Sequence, residues 1–158
     1  MSPRHEHEVY MDLALGEARR AARAGEVPVG AVLVLGGAVV ARAGNRVERD
    51  RDPTAHAELL AMRRAIKRER AKWLADARLY VTLEPCAMCA GAIVLARVPH
   101  VVFGTRDPKA GAMGSAFDLA LTGRANHLPR VTPGVRGAAC AELLSSFFRD
   151  LRAARADS

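Results

Sequence analysis

The chain has 158 residues, 24 of them Lys or Arg against 17 Asp or Glu, for a formal net charge of +7. Half the residues are hydrophobic and 26% are charged, a balance that excludes an intrinsically disordered chain. The length suits one domain spanning residues 1–158, since chains of this size bury roughly two-thirds of their unfolded surface and two half-sized domains would each be marginal. The longest apolar run, Ala87–Ala96, stops at Arg97, well short of the ~18–20 residues a membrane span needs. Residues 1–8 carry no apolar stretch behind a basic start, so no secretory signal is expected and the reading is a cytoplasmic protein. Three cysteines cannot complete a disulfide framework.

In chain order, Val9–Ala24 places Leu13, Ala14, Ala18, Ala21 and Ala22 at helical spacing and stops at Gly25. Val27–Leu35 is rich in β-branched residues and too short for a buried helix. Gly36-Gly37 signals a two-residue turn, and Ala38–Ala43 is the returning strand. A polar loop, Gly44–Asp52, leads to a helix over Thr54–Ala71, with Asp52 as the expected cap and Pro53 opening the helix. Arg78–Leu83 reads as a strand, Cys86–Ala96 as a short apolar helix after Pro85, and Val98–Gly104 as another strand. Thr105–Ser115 is a loop of functional size. A weak strand near Arg130–Val135 precedes an amphipathic helix over Ala138–Ala154. Strands alternating with helices predict an α/β sandwich with a largely parallel half.

Of the 24 basic residues 21 are arginine, whose planar fork suits phosphate. Charge bears on partners and not on fold, so an acidic partner such as nucleic acid is permitted. The run Arg63–Lys72 reads first as a solvated, dipole-compatible helix end and second as a phosphate track.

Two segments carry chemistry. Thr54-Ala55-His56-Ala57-Glu58 and Glu84-Pro85-Cys86-Ala87-Met88-Cys89 both lie where a helix opens. Zinc that does chemistry takes three protein ligands and keeps a fourth position open, and His56, Cys86 and Cys89 are such a set. The i, i+3 spacing puts both sulfurs on one side of a first helical turn, whose positive dipole end favours thiolate. Taken alone, Cys-x-x-Cys could be a redox pair or two buried apolar cysteines. A parallel arrangement would bring both helix starts to one sheet edge, where ligands bind in open α/β sheets. A structural zinc would need a fourth ligand, for which Cys140 and His127 are candidates; Cys140 sits on the apolar side of its helix and suits burial better. Glu58, two residues from a ligand, is poorly explained in a structural site and fits a general base.

These residues resemble a known family. His56-Ala57-Glu58 with Pro85-Cys86-Ala87-Met88-Cys89 is similar to the signature of the zinc-dependent nucleobase deaminases. The likeness extends to the tRNA-specific adenosine deaminases through Val27–Val32, Asn45, Asp52–Glu58, Leu83–Ala92, Val102–Lys109, Gly114-Ser115, Asn126-His127 and Phe147-Phe148-Arg149, covering Val9 to Leu151. It implies a cytidine-deaminase-like three-layer α/β/α sandwich, a five-stranded mixed sheet flanked by helices. It also implies a homodimer that converts adenosine to inosine at the wobble position of a tRNA anticodon stem-loop, with one zinc ion per subunit and no nucleotide cofactor. On this resemblance Glu58 shuttles the proton, from water to N1 of adenine and then to the departing amine, while His56, Cys86 and Cys89 hold the metal. Asn45, Ala57, Asp107, Lys109, Asn126, Phe148 and Arg149 are the substrate contacts it implies. Thr105-Arg106 departs from the family pattern, which touches RNA contacts and not the metal site.

Several of these residues have a second reading. Asn45 after Gly44 is also good turn chemistry. Asp107 could accept a ribose 2′-OH, which RNA has and DNA lacks, or simply cap its loop. Of Phe147 and Phe148, one is expected in the core and the other at the pocket edge. The rival functions are a small-molecule guanine or cytosine deaminase of the same superfamily and a non-enzymatic, zinc-stabilised RNA-binding module.

Overall fold

The computed structural model describes residues 1–119 and 127–158. In chain order the elements are α1 (Pro3–Arg23), β1 (Gly30–Leu35), β2 (Ala38–Gly44), α2 (Val47–Asp50), α3 (Ala57–Glu69), β3 (Ala77–Leu83), α4 (Ala87–Leu95), β4 (His100–Thr105), β5 (Arg130–Thr132) and α5 (Gly137–Ala156). The five strands form one sheet in the order β2-β1-β3-β4-β5. β1 is antiparallel to both β2 and β3, whereas β3, β4 and β5 run parallel, so the sheet is mixed with a parallel half. Among the described residues no helix is long and apolar enough to cross a membrane.

Strand side chains alternate between faces, and that period of two builds the three layers. Leu33, Leu79, Val81, Val101 and Phe103 pack against Ala61, Met62 and Ala65 of α3 and Ile93 of α4. Their neighbours Val32, Val34, Tyr80 and Val102 point the other way, onto Met11 and Leu15 of α1 and Cys140 of α5. Burying a side chain such as Phe103 or Leu79, both fully enclosed, contributes about 1.5–3 kcal/mol. The β1–β2 hairpin closes through Gly36 and Gly37, both with positive φ, as the two-residue turn required.

Element boundaries differ from expectation where polar side chains decide them. α1 begins at Pro3, six residues before Val9, because the Ser2 side chain accepts from His5 N and Pro3 sits at a position that needs no N–H. Its polar first turns are held by the Glu6–Arg78 pair and by a hydrogen bond between His7 and the Tyr80 hydroxyl. α3 begins at Ala57, not Thr54: Asp52 accepts from the backbone and hydroxyl of Thr54 in a tight turn, leaving the helix to be capped from elsewhere. A short helix, α2, lies within the polar loop 44–52. In the basic run, Arg64 and Arg68 donate to the carbonyls of Arg42 and Val40, covering the open edge of β2.

Candidate active site

The sheet ends where two helices begin. His56 and Cys86 are the residues immediately preceding α3 and α4, both in extended conformation, and neither spends its side chain on capping. The helix starts converge so that His56 Nδ1 lies 3.5 Å from Cys86 Sγ and 3.6 Å from Cys89 Sγ. Zinc bonds of 2.0–2.1 Å to nitrogen and 2.3 Å to sulfur, set at tetrahedral angles, require an N···S separation of about 3.6 Å. Both N···S separations therefore match what a tetrahedral ion needs. Neither residue that a structural zinc would have required as a fourth ligand joins the three side chains. Cys140 is buried in the α1/α5 layer, and His127 donates from Nε2 to the Val98 carbonyl. Among the described residues no other group of His, Cys, Asp and Glu is so disposed.

Electrostatics at the junction favour one thiolate. Hydrogen bonds from Cys89 and from His56 hold the Cys86 thiol down at about 3. The bond to Cys86, and then burial, push the Cys89 thiol up, while the bond to Cys86 raises His56. Glu58, in the first turn of α3 and buried, is pushed up by desolvation to about 7.

His56, Glu58 and Cys86 open onto a cavity of about 730 Å³. Val27, Val29, Asn45 and Glu48 line it together with Leu83, Asp107 and Ala110 and with Phe147, Leu151 and Arg155 of α5. Two buried carboxylates fix this lining. Glu26, fully enclosed, accepts from Glu48 N and Arg49 N at 2.9 Å each and so pins α2 beside Asn45. Glu84 accepts from the backbone N–H groups of Asp107, Met113 and Ser115 and from the Ser115 hydroxyl. Burial alone would raise the Glu84 carboxyl, but these bonds outweigh it and hold it below its ordinary value. The loop passes so close that a Cβ on Gly111 would sit 2.4 Å from Glu84 Cδ, which requires glycine there.

The residues expected at the substrate divide. Asn45 is in the cavity wall, and its Oδ1 accepts from Ala57 N at 2.9 Å, which is the missing cap of α3. Its amide N–H groups make no hydrogen bond among the described residues. Ala57 is buried and contributes that backbone N–H. Asp107 lines the cavity, but its Oδ1 accepts from Lys109 N and Ala110 N, so the loop-capping role is realised. Lys109 lends a backbone N–H to that turn and is not in the wall. Of the two phenylalanines it is Phe147 that edges the cavity; Phe148 is exposed and meets it edge to face. Arg149 pairs with Glu142 outside the cavity. Asn126 lies outside the described residues. Sequence reading placed Glu84 in the second motif without a role, and it offered no role for Glu26, Leu151 or Arg155. The i, i+4, i+8 spacing of Phe147, Leu151 and Arg155 was the available signal for the last two.

The family model for MafB19-like deaminases matches residues 5–152. The tRNA-specific adenosine deaminase of Bacillus subtilis is 50% identical over 145 residues, covering 92% of this chain and 90% of that protein. The chain belongs to the tRNA-specific adenosine deaminases. Among solved structures, this deaminase is similar to one described in work on A-to-I editing by tRNA:A34 deaminases at the wobble position of transfer RNA. That likeness has a TM-score of 0.80 and 46% identity, covering 85% of this chain and 98% of that one. It also resembles a guanine deaminase from Nitrosomonas europaea, with a TM-score of 0.76 and 25% identity over 92% of this chain and 84% of that one. The mixed five-stranded sheet with helices on both faces is the fold of this group.

Proposed function

We propose that the chain works as a single deaminase domain with one zinc ion held by His56, Cys86 and Cys89 and with Glu58 as its proton carrier. It is a tRNA adenosine deaminase, converting adenosine to inosine at wobble position 34 of a tRNA anticodon by hydrolysis, with release of ammonia. The observation that carries the site assignment is the meeting, at one cavity, of three metal-ligand atoms within 4.8 Å of one another and a buried carboxyl group. Bound there, zinc supplies a Lewis acid that lowers the pKa of a water ligand from 15.7 toward about 7.

Glu58 suits the proton transfers because burial has moved it to about 7, where it gives and takes a proton at little cost. It removes a proton from the attacking water and passes it to N1 of adenine, leaving C6 electrophilic. Once the water oxygen is bonded to C6, Glu58 takes the proton of the new C6 hydroxyl and delivers it to the exocyclic amine; the C6–N bond breaks, C6=O forms and ammonia departs. Asn45 presents its amide N–H groups to the base edge, held in place by the bond from Ala57 N. A homodimer is part of this reading: Met88 and Leu95 share the outer face of α4, and Leu95 is 79% exposed, with Trp73, Phe117 and Leu128 also exposed. A tRNA substrate places the work in the cytoplasm.

The test is incubation of the zinc-loaded protein with an anticodon stem-loop RNA and, separately, with free guanine and cytosine. A gain of about one dalton at the wobble adenosine is expected, with ammonia in equal amount. Turnover of free guanine alone would instead support the small-molecule reading suggested by the guanine deaminase likeness.

A further inference from the structure

We propose that Arg155 clamps a phosphate flanking the target nucleotide, so that the α5 face of Phe147, Leu151 and Arg155 is a subsite for the substrate's backbone. The inference rests on the tRNA reading above. The three residues follow at i, i+4 and i+8, about 6 Å per step along the helix axis, and all line the cavity. The chemistry needs one base at His56 and Glu58, whereas about 730 Å³ lies toward the upper end of the ~300–1,000 Å³ range of small-molecule sites. The α5 side therefore has room for more than the reacting base.

Charge decides what enters there. A nucleotide swung into the cavity brings a phosphodiester on each side, yet the walls carry Glu26, Glu48, Glu58, Glu84 and Asp107. Glu26, Glu84 and Asp107 already accept backbone N–H groups, which leaves compensation of the phosphate to a cation. Arg155 is the sole Lys or Arg among the described lining residues. Its guanidinium makes no ion pair or hydrogen bond among the described residues, while Arg149 is held by Glu142 and Arg46 by Asp50. A free guanidinium offers a planar fork that matches phosphate oxygens two at a time.

The experiment compares zinc-loaded wild type, Arg155→Gln and Arg155→Lys on an anticodon stem-loop over a salt series, measuring KM and, by fluorescence anisotropy, Kd. Arg155 is exposed in the last turn of α5, so neither substitution endangers the fold. Arg155→Gln is expected to raise KM and Kd about 10-fold, as loss of one partly exposed charge-assisted contact should. It should also flatten the logarithmic salt slope by about 0.7, the share of one phosphate in single-stranded nucleic acid. Arg155→Lys should keep the slope. Replacing the flanking phosphates one at a time by neutral methylphosphonate should reproduce the loss at one position in wild type and cost Arg155→Gln nothing further there. Equal salt slopes for wild type and Arg155→Gln, or equal methylphosphonate losses in both at every position, would overturn the clamp. Anisotropy does not depend on turnover, so a wild type whose salt slope exceeds that of Arg155→Gln by the expected amount but that releases no ammonia would support the clamp and refute the proposed reaction.

Discussion

Glu84→Gln replaces one oxygen of a buried carboxylate by an amide and leaves the volume almost unchanged. Oε1 accepts from Asp107 N at 3.2 Å and from the Ser115 hydroxyl, while Oε2 accepts from Met113 N at 2.9 Å and Ser115 N at 3.2 Å. The least costly arrangement puts the new NH2 at the Oε1 position, where the serine hydroxyl can turn to accept. The Asp107 N–H cannot turn, so at least one charge-assisted bond, worth about 1.5–3 kcal/mol, becomes donor against donor. The remaining bonds lose the charge on their acceptor. The expected loss is about 2–5 kcal/mol, short of the full cost of orphaning a buried charge. For a chain of this length each kcal/mol lowers Tm by about 2–4 °C, so a drop of about 4–20 °C is predicted. Urea unfolding of the zinc-loaded wild type and variant would measure it, and KM for the stem-loop should rise with it because the same loop forms a cavity wall. A loss below about 1 kcal/mol, the range of a surface ion pair, would refute the argument that the loop is built on Glu84.

Glu58→Gln should retain zinc and stem-loop binding while turnover falls by at least about 10²–10⁴-fold, the usual worth of a general acid–base group; a variant keeping a tenth of wild-type turnover would show that another group moves the proton. Elemental analysis should find one zinc per chain, and chelation should abolish activity and lower Tm, because ligand binding by the folded state adds to its stability. Zinc affinity should weaken as pH falls, since Cys89 and His56, both raised, must give up protons to bind; affinity independent of pH would contradict the ligand assignment. His100, held down at about 4 chiefly by burial, with Arg130, His7 and Arg78 adding repulsion, should make stability acid-sensitive. Between pH 6.5 and about 4 the unfolded chain takes up a proton that folded His100 refuses, so stability is lost as pH falls, by about 3 kcal/mol in total. His100→Gln, able to satisfy both Thr132 and Arg130, should lose less over that window in urea titrations; parallel curves for variant and wild type would refute it.

Local pattern determined much of this molecule. Continuous apolar runs in β1, β3 and β4 specified a sheet with two buried faces, because a strand shows successive side chains to opposite sides. The Cys86-x-x-Cys89 spacing placed two sulfurs on one helical turn, and Glu58 two residues after His56 signalled chemistry beyond a structural ion. What tertiary structure alone decided involves groups brought together from distant parts of the chain. His56 and Cys86 are 30 residues apart and meet because α3 and α4 begin at the same end of one sheet. The cap of α3 comes from Asn45 across a loop, so the nearby Asp52-Pro53 gave the wrong start. Glu26 and Glu84 were given no role by the sequence, since carboxylates are seldom fully buried without partners; their partners are backbone N–H groups, which carry no side-chain signature. The same holds along α5, where the sequence offered Phe147 or Phe148 for the pocket edge and Arg149 for the substrate. The roll of the helix against β4 selected Phe147 and Arg155, because only a packed neighbour fixes which stripe of a helix turns inward.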